Sequence, residues 1–66
     1  MHITLNGKAH QLQPSQSVAE LLDALQLTGK RLAVEVNETI IPKSRHASHH
    51  LADGDRVEIV HAIGGG

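Results

Sequence analysis

The sequence predicts an α+β chain: a mixed sheet of about five strands with one main helix packed on one face. Three observations point there. Apolar residues alternate with period two at Ile3 and Leu5, at Leu32, Val34 and Val36, and at Val57 and Ile59. A single stretch, Val18, Leu21, Leu22 and Leu25, repeats instead at helical spacing. Between these runs stand Asn6-Gly7, Pro14, Thr28-Gly29, Pro42 and Asp53-Gly54-Asp55, residues that break or turn a chain.

Met1 to Leu5 reads as the first strand, with Ile3 and Leu5 on one face and His2 and Thr4 on the other. Asn6-Gly7 tolerates positive φ at both turn positions, so Lys8 to Leu12 returns as the second strand of a hairpin. His10 shares a face with Leu12 and is half-buried, and Pro14 ends the pairing. Ser17-Val18-Ala19-Glu20 has the form of a capping box, with Ser at the cap and Glu three residues on. It opens a helix over 18–26 that Thr28-Gly29 stops. Leu32 to Val36 is a third strand. Asn37-Glu38 turns the chain into the short step Ile40-Ile41, which Pro42 confines to a sheet edge. Lys43 to His50 is polar and His-rich, a loop with room for one helical turn, and Leu51 anchors it. Asp53-Gly54-Asp55 is a tight turn. Arg56 to Ile63 is the last strand, with Val57, Ile59, His61 and Ile63 on one face and Glu58, Val60 and Ala62 on the other.

A helix inserted after an N-terminal hairpin must cover one face of the sheet, and the first and last strands can then pair in parallel at its centre. That is the β-grasp, or ubiquitin-like, arrangement. It occupies residues 1–63 as one domain, with residues 64–66 as a C-terminal Gly tail.

Composition narrows the function. Sixty-six residues make a thin core, since a chain of this size buries only about 60% of its unfolded surface. A complete active site with a substrate pocket is hard to fit, so a carrier or binding module is expected rather than an enzyme. Absence of cysteine excludes disulfides, thiol catalysis and thiolate metal sites. Absence of Trp, Tyr and Phe, with a formal net charge of −1, argues against nucleic acid, which calls for a basic footprint and stacking platforms. No apolar run is long enough to span a bilayer, and the N-terminus reads as a strand rather than a signal peptide. A cytoplasmic location is the expectation.

The sequence finishes on Ile63-Gly64-Gly65-Gly66. Three glycines cannot pack, but without Cβ atoms they can be drawn extended into a narrow channel, and the last ends in an unhindered carboxylate. The candidate functional group is therefore the α-carboxylate of Gly66, with Gly64 and Gly65 as the segment that enters a partner's channel. The alternative is a frayed end without function. Val60, Ala62 and Ile63 lie beside the tail and are candidate partner contacts. Val60 stands in the phase opposite Val57 and Ile59; the alternative is that it packs under a loop or is an isolated surface residue.

Four stretches carry a family resemblance: Ile3-Thr4-Leu5-Asn6-Gly7, Ala33-Val34-Glu35-Val36-Asn37 with Ile40-Ile41-Pro42, Leu51-Ala52-Asp53-Gly54-Asp55, and Val57 through Gly66. In their order and spacing they resemble the ThiS-type sulfur carriers of thiamine thiazole biosynthesis. The resemblance spans essentially the whole chain. It implies that an adenylating partner uses ATP and magnesium to convert the Gly66 carboxylate to an acyl-adenylate. A persulfide donor then displaces AMP, and reductive release leaves a thiocarboxylate that gives its sulfur to thiazole synthase. On that reading the chain itself holds no cofactor.

Other features carry competing readings. His46 and His50 sit at i, i+4 with His49 beside them, a spacing that could share a metal ion on a helix; with no Cys or matching carboxylate, fortuitous surface histidines are the simpler account. Asp53 and Asp55 read as turn formers. Ser44 and Ser48 have no oriented base to make a nucleophile, and Lys43 and Arg45 read as solvated, the alternative being a charged contact with an acidic partner. Two further functions stay open: the β-grasp sulfur carrier subunit of molybdopterin synthase, and a non-catalytic β-grasp interaction domain with an inert tail.

Overall fold

A computed structural model describes residues 1–61 of the chain. Strands β1 (His2–Leu5), β2 (Lys8–Gln11), β3 (Leu32–Val36), β4 (Thr39–Ile41) and β5 (Arg56–His61) form one mixed sheet, with helix α1 (Val18–Ala24) inserted after the first hairpin. The sheet order is β2-β1-β5-β3-β4. β1 and β5 pair in parallel at the centre, and the other pairings are antiparallel. Residues 62–66, which include the end of the expected last strand and the whole Gly tail, lie outside the described residues.

The alternation read from the sequence decides which face is buried. Ile3, Val34, Val36, Ile41, Val57 and Ile59 face the helix and meet its stripe of Val18, Leu21 and Leu22. Leu21, Val18, Val34 and Val57 are fully enclosed, and each contributes roughly 1.5–3 kcal/mol by leaving water. Leu12 and Leu51, from outside the strands and the helix, are buried in the same core. β4 is an edge strand, as Pro42 requires.

The first hairpin turns at Asn6 (φ 49°) and Gly7 (φ 82°), the left-handed pair that matches strand twist. The second turns at Asn37 (φ 51°) and Glu38 (φ 70°), with no glycine at all.

The N-terminus of α1 is closed at every donor. Ser17 Oγ accepts from Glu20 N (3.1 Å), and Glu20 Oε1 accepts from Ser17 N (2.8 Å). The remaining free amides find tertiary partners: Val18 N donates to the His49 carbonyl (3.0 Å) and Ala19 N to the His46 carbonyl (2.8 Å). The His-rich segment, which opens with a 3-10 turn at Lys43–Arg45, is thus docked on the helix by its backbone. The backbone N–H of Ser17, and secondarily its side chain, hold the Glu20 carboxyl below its ordinary value. The charge of His50 adds a smaller effect in the same direction, and desolvation opposes it.

The helix ends earlier than the apolar spacing predicts, at Ala24 rather than Gln26. Gln26 takes a left-handed φ of 61°. Its N–H donates to Asp23 O (3.0 Å), while Leu27 N–H reaches back to Leu22 O (2.8 Å). This paired closure normally places glycine at the left-handed position, so the sequence signal at Gly29 marks a later turn. Among the described residues no helix is long and apolar enough to cross a membrane.

Candidate functional site

The strand that leads into the C-terminal tail is the middle strand of five. On one side β5 pairs with β3 over its whole length, from Val36↔Val57 to Leu32↔His61. On the other side β1 pairs with it only at Thr4↔Arg56 and Leu5↔Val57. Beyond that point the side chain of Asn6 takes over, its Oδ1 accepting from Ile59 N at 2.8 Å. Among the described residues no strand pairs with β5 on the β1 side past Val57. The second turn contributes a similar clamp. Asn37 Oδ1 accepts from Arg56 N (2.9 Å), and Asn37 Nδ2 donates to Asp55 Oδ1 (3.0 Å). Both asparagines therefore combine a left-handed turn with a hydrogen bond to the backbone of β5. The turn role is visible in the sequence; the clamp is not, because its partners lie far along the chain.

The two faces of β5 separate as the phase predicts. Val57 and Ile59 are buried, whereas Glu58 and Val60 are exposed. Val60 keeps 56% of its surface, so it does not pack under a loop, and Ile40 on β4 keeps 63%. Val60 lies opposite Ala33, and Ile40 lies opposite Glu35, on the face away from the helix. Ile40 has the same exposed apolar character as Val60, which the sequence did not reveal because its neighbour Ile41 is buried. Glu35, Glu38, Glu58 and Arg56 line a small hollow of their own, with an exposed ion pair between Arg56 and Glu38 at 3.5 Å. Of the expected site residues, Ala62, Ile63, Gly64, Gly65 and Gly66 lie outside the described residues.

The histidines do not gather. The 3-10 turn ends at Arg45, so His46 and His50 do not share a helix face. His46 is buried rather than a surface residue, and its Nε2 lies 3.0 Å from the Ile41 carbonyl. A carbonyl only accepts, so Nε2 carries the proton. His50 is exposed. No group of three metal-ligating side chains occurs among the described residues. Asp53 and Asp55 are turn formers: Asp53 Oδ1 accepts from His2 N (2.7 Å) and Asp55 Oδ2 from Ala52 N (2.8 Å).

A profile of the ThiS family matches residues 3–66. The chain belongs to the ThiS family. It is 35% identical over 66 residues to the sulfur carrier protein ThiS of Escherichia coli, covering 100% of both chains. It is 40% identical over 65 residues to the sulfur carrier protein ThiS of Bacillus subtilis, covering 97% of this chain and 98% of that one. The solved structure of a ThiS thiamine biosynthesis protein from Geobacter metallireducens superposes with a TM-score of 0.87 at 33% identity, covering 100% of both chains. That match confirms the β-grasp fold. The chain also aligns at 41% identity with a thiazole synthase of Paramagnetospirillum magneticum, of which it spans only 20%.

Proposed function

We propose that this chain carries sulfur for thiazole formation as a thiocarboxylate on Gly66, and that partner enzymes perform the chemistry on it. Sulfur carriage in thiamine biosynthesis is the family's function. The observation that carries the finer reading is the reach of the family match through Gly66, taking in all three terminal glycines.

The carboxylate oxygen attacks the α-phosphate of ATP on an adenylating enzyme, with magnesium bound by the phosphates, and pyrophosphate leaves. The terminal sulfur of a persulfide donor then attacks the acyl carbon and AMP leaves. Reduction of the resulting acyl disulfide by a thiol splits the S–S bond and leaves the thiocarboxylate. Its sulfur is soft and nucleophilic, suited to attack on an imine carbon held by thiazole synthase. The alignment with a thiazole synthase supports that enzyme, rather than molybdopterin synthase, as the acceptor. Residues 1–63 serve as the docking body, and Gly64 and Gly65 thread the channel.

The described geometry supports this division of labour. A central strand, clamped by Asn6 and Asn37, gives the tail a firm base. Its backbone on the β1 side past Ile59, beyond the Asn6 clamp, can take an added partner strand. Val60, with Ala62 and Ile63 following it, offers the apolar contact. The carrier acts in the cytoplasm, where ATP and reducing thiols are at hand.

Intact mass spectrometry tests the reading. The chain is incubated with ATP, magnesium, an adenylating enzyme of the pathway, a persulfide donor and a reducing thiol. One oxygen should be replaced by sulfur at the C-terminus, and thiazole synthase carrying its imine substrate should then accept the sulfur and restore the original mass. An unchanged mass with active enzyme would refute the proposal and leave an inert interaction domain.

A further inference from the structure

We propose that the groove between the C-terminal end of α1 and the 43–47 segment is a second docking site, one that takes an extended acidic segment of a partner protein anchored by a single apolar side chain. The inference does not depend on the sulfur chemistry. The groove has a volume of about 240 Å³. Ala19, Leu22, Leu27 and Leu32 supply its apolar wall, and Lys30 and Lys43 also line it. Leu27 and Leu32 pack against the core yet stay only partly buried, so they present apolar surface that the fold itself does not cover. The volume is below the roughly 300 Å³ at which pockets begin to hold small-molecule ligands. One or two side chains fit it better than a cofactor.

Charge selects the occupant. Lys30, Arg31, Lys43 and Arg45 account for four of the six Lys and Arg residues, and they fall in the two segments that border the groove. All four are exposed, and the ion pair among the described residues is elsewhere, between Arg56 and Glu38. Glu20 and Asp23 line an adjoining hollow on α1 that shares Ala19 and Thr28 with the groove, so an acidic ligand lies toward the lysines. The wall is preformed, because the Ile41 carbonyl fixes His46 and the closure at Gln26 fixes Leu27. The chain's own last five residues bring no acidic side chain, a poor match for the two lysines that line the groove. A second copy would offer Glu35, Glu38 and Glu58 from a sheet face, which cannot reach into a groove as an extended segment can.

The test uses the full chain, labelled with nitrogen-15, and three acetylated and amidated peptides: Asp-Glu-Leu-Glu-Asp, the same with Ser for Leu, and Lys-Lys-Leu-Lys-Lys. Only the first should give saturable shifts at the amides of Ala19, Leu27 to Leu32 and Ala47, with an affinity that falls as salt rises. Combining Lys30→Glu with Lys43→Glu should weaken it at least tenfold while the thermal transition stays put. Four results would overturn the proposal: no saturable shifts; shifts centred on Val60 and Ile40; equal binding of the Ser or Lys peptides; or groove shifts that grow with protein concentration alone, which would make a second copy the occupant. A tenfold gain in peptide affinity on Ile63→Ser would instead make the chain's own tail the occupant and would also overturn it.

Discussion

Replacing Asn6 separates two contributions that one residue makes to the strand beneath the tail. Asn6 holds a left-handed φ of 49°, and its Oδ1 accepts the Ile59 N–H at 2.8 Å. Asn6→Gly keeps the turn and loses the hydrogen bond. The net worth of such a bond is about 0.5–1.5 kcal/mol, and a stranded, partly buried donor raises the cost toward the upper end. Asn6→Ala loses the bond and adds the left-handed penalty of a β-carbon, a further ~1 kcal/mol. Asn6→Asp keeps an acceptor in place and should stay within about 0.5 kcal/mol of the parent. The expected order of stability is Asp, then Gly, then Ala, with Ala down by about 2–2.5 kcal/mol. A chain of 66 residues has a total stability of roughly 3–10 kcal/mol, so the Ala variant is measurably weakened but folded. Urea unfolding followed by far-UV circular dichroism reads this, since the chain has no aromatic residue to report by fluorescence. With a slope near 1 kcal/mol per molar urea, the Ala midpoint should fall by about 2 M. Amide exchange at Ile59 should quicken in the Gly and Ala variants and not in the Asp variant. Equal midpoints for Gly and the parent would show that the Ile59 bond contributes nothing; equal midpoints for Gly and Ala would remove the left-handed term.

The other expectations are briefer. Gln26→Gly relieves the left-handed residue that closes α1 and should raise stability by about 0.5–1 kcal/mol, seen as a higher urea midpoint. Ser17→Ala opens the cap and should cost about 1–2 kcal/mol. The Glu20 carboxyl is held below its ordinary value, so its stabilising contribution is present above the unfolded value and lost as pH falls through the folded one. Glu20→Gln should flatten the acid limb of midpoint against pH below about pH 5, mostly under the ordinary Glu value near 4.3. Val60→Lys, at a position 56% exposed, should leave the midpoint within about 0.5 kcal/mol yet slow adenylation roughly tenfold, because burying a valine in an interface contributes on the order of 1.5 kcal/mol or more. Gly65→Val should fold normally and fail to be adenylated in the mass assay; normal adenylation would argue against a narrow channel.

Period-two and helical spacing placed the strands and the helix because burial on one face is a local property of the sequence. Asn6-Gly7, the Ser17 to Glu20 box and Pro42 fixed the first turn, the helix start and the edge strand for the same reason: each acts within four residues. The end of α1 was misplaced because Gln26 adopts a conformation that glycine signals and glutamine does not. Val60 was legible as a candidate contact by phase. Ile40 was not, since two adjacent isoleucines do not say which one faces out.

By itself the sequence determined the β-grasp order, the absence of thiol and aromatic chemistry, and the three glycines at 64–66. Only the tertiary structure decided that Asn6 and Asn37 hold the strand leading to those glycines, that the carbonyls of His46 and His49 cap the helix, and that Lys30 and Lys43 line one groove. The physical reason is distance along the chain. Asn6 and Ile59 are 53 residues apart, and no local pattern encodes a hydrogen bond that exists only after the sheet has closed.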